Sequence, residues 1–171
     1  MTAEELIRLD GPNRYELIKG ELLTMSPTGD EHGRVTVNLT VLLHSYVKAN
    51  NLGVIYNDVG FKLEENPDTV LGPDISFVAR DRVGPRSPFF RSGPPDLAVE
   101  LRSHYDRTTK IERKAAMWLE LGAKSVWLVN PKRRTVDVIH ANGDRRLFQD
   151  SEELFDDIVP GFRVKVSEIF E

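Results

Sequence analysis

Two strand-like runs of the sequence each begin at a proline and carry a carboxylate. Residues 73–78 contain Asp74, and residues 95–102 contain Glu100. Side chains alternate between the two faces of a strand, which separates Glu100 from the apolar residues Leu97, Val99 and Leu101. A buried carboxylate is costly unless a cation or a metal ion pairs with it. Glu100 therefore requires a partner, although a salt bridge at the end of the strand would also satisfy it.

A lysine lies inside the apolar stripe of the helix that follows the second run. On a helical wheel of residues 106–121, Lys114 falls between Leu121 and Trp118. Lysine is rare in such a stripe unless its ammonium is paired, but its stem could also lie along the stripe and bring the ammonium to water. We expect pairing with one of the two strand carboxylates, and Lys110, nearer the rim of the stripe, is the competing candidate. With one such partner, replacing Lys114 by methionine is expected to leave the protein as stable or more stable.

Two carboxylates on neighbouring strands and one half-buried lysine are the side chains of a divalent-metal site with a cationic neighbour. Hard oxygen ligands suit Mg²⁺ or Mn²⁺, which keep several waters and accept phosphate oxygens. Such a metal activates a water and neutralises charge on a phosphodiester, while the lysine stabilises the developing negative charge. The pattern predicts nuclease chemistry, and hydrolysis of a small phosphate ester stays open because the same chemistry serves both.

Helices and strands alternate along the chain in the order expected of a mixed sheet with helices on its faces. A capping-box pattern of Thr2 and Glu5 predicts a short N-terminal helix, and Lys19-Gly20 predicts the turn of a β-hairpin. Longer helices are predicted over residues 31–48 and 106–121. Strands are predicted at 54–56, 61–63, 70–78, 97–101, 125–129 and 135–139. The fold class is therefore α/β, as one domain over residues 1–171.

Two charged segments stand apart from these elements. Residues 80–95 have no periodicity and carry four arginines against one aspartate, so Arg82, Arg86 and Arg91 are candidate contacts for nucleic-acid phosphates. A solvated surface loop explains this segment equally well. The acidic residues between positions 150 and 157 are expected to begin a solvated helix.

Composition limits the chemistry further. The chain has no cysteine, which excludes thiol nucleophiles, Cys-ligated zinc and iron–sulfur clusters. The formal net charge is −4, so any affinity for nucleic acid must come from local patches. The sequence begins with no signal-peptide pattern and contains no apolar run of membrane-spanning length. We expect a cytoplasmic protein that does not contact membranes.

Several segments, taken in order, resemble the Uma family of restriction-endonuclease-like proteins, which belongs to the PD-(D/E)XK nuclease superfamily. The resemblance covers roughly residues 5 to 140. It rests on RYELIKGEL from Arg14, MSP from Met25, His32, PDISFV from Pro73, PDLAVE from Pro95, Ser103, GA from Gly122 and VWLVNP from Val126.

The resemblance implies a restriction-endonuclease-like core of helix, three strands, helix and strand, preceded by a helix and a β-hairpin, and a homodimer. Asp74 matches the aspartate of the PD motif, and Glu100 matches the acid of (D/E)XK. The superfamily lysine normally follows that acid by two positions, where this sequence has Arg102. In this family the lysine matches Lys114, which the helical wheel reaches independently.

The same resemblance assigns roles to three further residues: Glu16 is a candidate catalytic residue, and His32 and Arg102 are accessory candidates. Glu16 matches a hairpin glutamate that could add to the metal site. His32 matches a histidine of the first long helix, although a histidine on an apolar stripe is more often structural. Arg102 could supplement Lys114 or cap the strand end in solvent.

Two functions follow from these residues. The first is a Mg²⁺- or Mn²⁺-dependent endonuclease that acts on DNA, which the set of Asp74, Glu100 and Lys114 favours. The alternative is a catalytically silent protein of the same fold that binds nucleic acid or a protein partner, which the negative net charge favours.

Overall fold

The computed structural model of the protein describes residues 1–10, 13–104 and 106–171. The helices are α1 (Ala3–Leu6), α2 (Asp30–Ala49), α3 (Thr108–Glu120) and α4 (Val166–Ile169), with a 3₁₀ turn at Arg80–Arg82. Within these ranges no helix combines the length and the hydropathy that a membrane crossing requires. The predicted capping box is present, because Thr2 and Glu5 exchange hydrogen bonds at the start of α1.

Thirteen strands form two mixed sheets and a two-stranded ribbon within the described part of the chain. Both sheets contain antiparallel pairs and one parallel pair, so the α/β class is confirmed, but two sheets replace the single expected one. The strands are β1 (Arg14–Ile18), β2 (Glu21–Met25), β3 (Gly53–Asn57), β4 (Phe61–Glu64), β5 (Thr69–Leu71), β6 (Ile75–Ala79), β7 (Arg91–Ser92), β8 (Leu97–Leu101), β9 (Ser125–Asn130), β10 (Thr135–His140), β11 (Arg145–Gln149), β12 (Glu153–Phe155) and β13 (Arg163–Lys165).

The six-stranded sheet has the order β11-β10-β9-β8-β6-β3. Its one parallel pair, β8 with β9, is joined by the crossover helix α3, as parallel strands require. Along the chain, α2, β3, β6, β8, α3 and β9 follow the order helix, three strands, helix, strand. The five-stranded sheet has the order β2-β1-β5-β4-β7 and contains the N-terminal hairpin.

The predicted strand over residues 70–78 is two strands in different sheets. It is interrupted at Gly72-Pro73, between β5 of the five-stranded sheet and β6 of the six-stranded sheet. Proline has no N–H to donate to a strand ladder, so a continuous central strand is disfavoured here. The interruption places Asp74 directly before β6, where the chain passes from one sheet to the other.

The two long helices cover opposite faces of the six-stranded sheet. Side chains of α2 pack with Leu97, Val99 and Leu101 of β8, while side chains of α3 pack with Ala98 of the same strand. Successive residues of a strand point to opposite faces, so this division confirms the predicted alternation in β8. The buried apolar residues are Val35, Leu39, Leu43 and Val47 in α2, and Ile111, Ala115 and Trp118 in α3.

The acidic segment near the C-terminus does not begin a helix, contrary to the prediction. It contains β12, which pairs with β13, and Asp156 is buried. One carboxylate oxygen of Asp156 accepts hydrogen bonds from Ser125 Oγ (2.6 Å) and Trp127 Nε1 (2.8 Å). The other oxygen lies 3.0 Å from His140 Nε2 and accepts from the backbone of Ile158. Asp156 therefore attaches the ribbon to β9 and β10, which a reading of the charges alone cannot reveal.

This network predicts unequal effects for two neighbouring aspartates. Asp156→Ala leaves several buried donors without an acceptor, and we expect it to reduce the free energy of unfolding by about 3 kcal/mol or more. Asp157→Ala removes the same charge from an exposed side chain and should change stability by less than about 0.5 kcal/mol. Urea denaturation of both variants measures the difference, and equal midpoints would contradict the proposed attachment.

Candidate functional site

A cavity of about 780 Å³ lies where the hairpin, the start of α2, β6, β8 and α3 meet. Its wall therefore comes from both sheets and both long helices. The sequence-predicted residues that line it are Asp74, Glu100, Lys114, His32, Arg102 and Lys110. The structure thus brings both strand carboxylates and the lysine of α3 to one cavity.

The ammonium of Lys114 lies between two carboxylates that come from different sheets. Its Nζ is 3.0 Å from Oε1 of Glu100 in β8 and 2.9 Å from Oε1 of Glu16 in β1. The backbone N–H of Gly72 donates a 2.9 Å hydrogen bond to the same oxygen of Glu16. The pairing with Glu100 agrees with the prediction from the helical wheel, while Glu16 is a second partner that the wheel does not provide.

Burial and charge act in opposite directions on this cluster. Burial raises the pKa of Glu100 to about 7, and the charge of Lys114 only partly offsets that effect. Burial disfavours the charged form of Lys114, but Glu100 and Glu16 outweigh it and raise the pKa of the lysine. Near neutral pH the ammonium is therefore charged, while Glu100 holds its proton more readily than an ordinary glutamate.

The carboxylate of Asp74 has a different environment in the same cavity. Its Oδ2 accepts a 2.7 Å hydrogen bond from the backbone N–H of Leu101 and lies 3.4 Å from Nε2 of His32. Burial opposes ionisation, but the histidine and the backbone donor outweigh it and hold the pKa of Asp74 below its usual value. Asp74 in turn raises the pKa of His32 against the effect of burial. The first long helix therefore places a histidine beside the first carboxylate, and that carboxylate favours the protonated form of the ring.

The accessory residues occupy different places around the cavity. Glu16 is buried and touches Lys114 without lining the cavity. Arg102 donates to the backbone carbonyl of Asp106 (3.1 Å), and Lys110 forms an exposed ion pair with the side chain of Asp106 (3.2 Å). Arg102 and Lys110 therefore lie at the cavity wall, and the lysine has the freedom to contact a ligand.

Residues 80–95, all of them described, contribute no side chain to the cavity lining. Arg82 pairs with Asp96 at 2.7 Å, and Arg91 donates to Tyr56 Oη and to a backbone carbonyl. Arg86 is exposed. Phosphate contacts by this loop stay a prediction, and Arg86 is the arginine best placed to make one without giving up a contact inside the chain.

Two residues of the site have no clear signal in the sequence. Trp118, which the wheel identifies only as a core residue, donates a 2.7 Å hydrogen bond from Nε1 to Oε1 of Glu100. Asp58 pairs with Arg14 at 2.6 Å, and burial raises its pKa while the charges of Asp74 and His32 also act on it. Each interaction joins two separate elements, so the periodicity within one element cannot indicate it.

With two carboxylate partners instead of the one expected from the sequence, Lys114 is predicted to stabilise the folded protein. Lys114→Met leaves two buried carboxylates without their common cation, and we expect a loss of about 3 kcal/mol or more at about pH 8. Loss of the cation raises the pKa of Glu100 further above its ordinary value. The folded variant therefore loses stability as pH rises through that pKa, and the difference from wild type should be smaller at about pH 6.

Lys110→Met is the matched control, since it removes a lysine one turn earlier in α3 whose side chain is 70% exposed. Exposed ion pairs contribute little, so this variant should lose less than about 1 kcal/mol at either pH. Thermal or urea unfolding of both variants at the two pH values measures the effect. A Lys114→Met protein as stable as wild type at both pH values would contradict the shared pairing.

The whole chain resembles known nuclease-like proteins. The model of the Uma2 family, described as "Putative restriction endonuclease", matches residues 3–167. A crystal structure of a protein from Anabaena variabilis, described as a putative nuclease belonging to DUF820, superimposes with a TM-score of 0.84. That alignment has 19% sequence identity and covers 99% of this chain and 97% of the other, which shows a common fold. A comparison with curated protein sequences found no match. Because the family match extends over nearly the full length, this chain belongs to the Uma2 family.

Proposed function

We propose that the protein is a Mg²⁺- or Mn²⁺-dependent endonuclease that hydrolyses phosphodiester bonds of DNA. One observation carries this proposal: the ammonium of Lys114 lies 3.0 Å from Glu100 in a cavity that Asp74 also lines. An acid from each of two adjacent strands and a charged lysine are the groups that metal-assisted phosphodiester hydrolysis needs. Membership of the Uma2 family supports the same reaction class.

The donor set of the cavity fits a hard divalent cation. The hydrogen bonds and closest ion-pair contacts of the two strand carboxylates use Oδ2 of Asp74 and Oε1 of Glu100, so Oδ1 and Oε2 remain as candidate ligands. Within the described ranges, no group of three or more His, Asp or Glu side chains is arranged to hold a metal. Two carboxylates with waters and substrate oxygens suit Mg²⁺, which rarely has an all-protein shell. When bound, such a cation activates a water and neutralises phosphate charge.

The charged residues divide the remaining tasks. Lys114 keeps its proton at neutral pH, because two carboxylates hold it, and it can stabilise negative charge that develops on a phosphate. Glu16 positions Lys114 without lining the cavity, and the backbone N–H of Gly72 holds the Glu16 carboxylate in place. His32 holds Oδ2 of Asp74 at 3.4 Å. Lys110 and Arg102, at the cavity wall, are placed to contact phosphates of the DNA backbone.

A structural role for the same cluster is the second candidate. Lys114 joins β1 to β8 through Glu16 and Glu100, so the network has a purpose even without catalysis. In that case the protein would be a silent member of the fold that binds nucleic acid or a protein partner. Stability measurements alone do not separate the two functions, because both predict that Lys114 matters for folding.

Cleavage of supercoiled plasmid DNA separates them. With Mg²⁺ or Mn²⁺ the wild-type protein should nick plasmid DNA, and removal of the metal by a chelator should abolish the reaction. Asp74→Asn, Glu100→Gln and Lys114→Met should each reduce the rate by about 100-fold or more. Glu112→Gln, which changes an exposed partner of Arg145 on the same helix, should retain activity. A wild-type protein that binds DNA but cleaves none with either metal would favour the silent fold.

The salt dependence of DNA binding tests where the phosphates lie. Lys110→Ala and Arg86→Ala should each make the slope of log K against log salt shallower by about 1, as expected for loss of one phosphate contact. Lys48→Ala is the control, because this exposed lysine lies at the opposite end of α2 from His32, about 24 Å away along the helix. A slope that changes equally in all three variants would place the DNA elsewhere.

A homodimer would offer two cavities to one duplex. Light scattering of the full chain measures whether the protein is a monomer or a dimer.

A further inference from the structure

We infer that Trp118 is a positioning residue for Glu100, whose indole N–H holds one carboxylate oxygen and leaves the other for a metal ion. This inference rests on the proposed function, because it concerns how the chain prepares a metal ligand. Trp118 has no contact with the cavity itself and is 0% exposed. Its effect on any reaction must therefore pass through Glu100.

One helix supplies two donors to a single oxygen. Lys114 and Trp118 are four positions apart in α3, so they lie on the same face of the helix. Nζ of Lys114 is 3.0 Å from Oε1 of Glu100, and Nε1 of Trp118 is 2.7 Å from that same atom. Hydrogen bonds to an ionised group are shorter and stronger than those between neutral groups. The two donors therefore fix the orientation of the carboxylate about its terminal torsion, which is otherwise soft.

The indole is itself held rigidly. Its ring lies edge-on to Phe61 of β4, with centroids 6.1 Å apart and an interplanar angle of 86°. It packs in the cluster that joins α3 to Ala98 and Val126 of the six-stranded sheet. Because the ring cannot turn without disturbing this cluster, its N–H has a fixed direction. A metal ligand that is oriented before the metal arrives loses less entropy on binding.

The chain contains a matched control for this bond. Trp127 is also fully buried, and its Nε1 donates a 2.8 Å hydrogen bond to the buried carboxylate of Asp156. Asp156 does not line the cavity. Replacing either tryptophan by phenylalanine thus removes the same kind of buried indole–carboxylate hydrogen bond, but only one replacement affects a proposed metal ligand.

The test is the affinity of the full chain for Mn²⁺ without DNA, measured from the electron paramagnetic resonance signal of the free ion. Trp118→Phe should weaken binding by about 10-fold, the lower end of the loss expected when a side chain that orients a metal ligand is removed. Trp127→Phe should change it by less than about twofold, because its partner lies outside the site. Equal affinities in the two variants, or a wild-type protein that binds no Mn²⁺, would overturn the inference.

A second variant covers the case in which Trp118→Phe disturbs folding. Site-specific incorporation of benzothienylalanine at position 118 replaces the indole N–H by sulfur and keeps the fused-ring shape, so packing against Phe61 is retained. This variant should also lose about 10-fold in Mn²⁺ affinity, because it too lacks the donor that orients Glu100, and wild-type affinity would overturn the inference. If Mn²⁺ binding depends on Trp118 but no variant of the protein cleaves DNA, the inference stands and the nuclease proposal fails. If the wild-type protein cleaves DNA and all variants bind Mn²⁺ as tightly as wild type, the nuclease proposal stands and the inference fails.

Discussion

The shared ion pair of Lys114 with Glu16 and Glu100 constrains how β1, β8 and α3 are placed at the cavity. A carboxylate from β1 and a carboxylate from β8 approach one ammonium within 3.0 Å. Burial of these charges is costly, so the structure tolerates them only because each has a partner with good geometry. Lys114 and Trp118 are four positions apart in the crossover helix α3. The helix must therefore lie where both side chains reach Glu100. The sheets, the helix and the cavity are therefore constrained by the same few atoms.

The two strand carboxylates show how one cavity can contain acids of different strength. Asp74 lies beside His32 and accepts a backbone hydrogen bond, and both interactions lower the pKa of its carboxyl. At Glu100 the effect of burial dominates and raises the pKa of the carboxyl to about 7. At neutral pH the first is therefore an anion, while the second gives up its proton less readily than an ordinary glutamate. A cation that binds to both must displace that proton, so its affinity must increase as pH rises.

The sequence predicted the parts of the site that depend on local periodicity. Glu100 is identified by strand alternation, and Lys114 is identified by its place in a helical stripe, because both patterns are set by backbone geometry. The partners Glu16 and Trp118 required knowledge of how separate elements pack, which periodicity does not contain. The same limit explains the second sheet and the buried role of Asp156 in an acidic segment. Resemblance to the Uma family supplied Glu16 as a candidate, but only the structure shows that it holds the lysine.

The passage of the chain between sheets at Gly72-Pro73 has a consequence for when the site can exist. Asp74 and Glu100 belong to one sheet and Glu16 to the other, so the cavity is complete only after both sheets have formed and docked. Contacts between residues so distant in sequence require the closure of long loops, which is slow compared with helix formation. During synthesis, a chain that has not reached α3 lacks Lys114 altogether. The charged centre therefore exists only when both sheets and α3 are in place, and a half-made or partly unfolded copy lacks it.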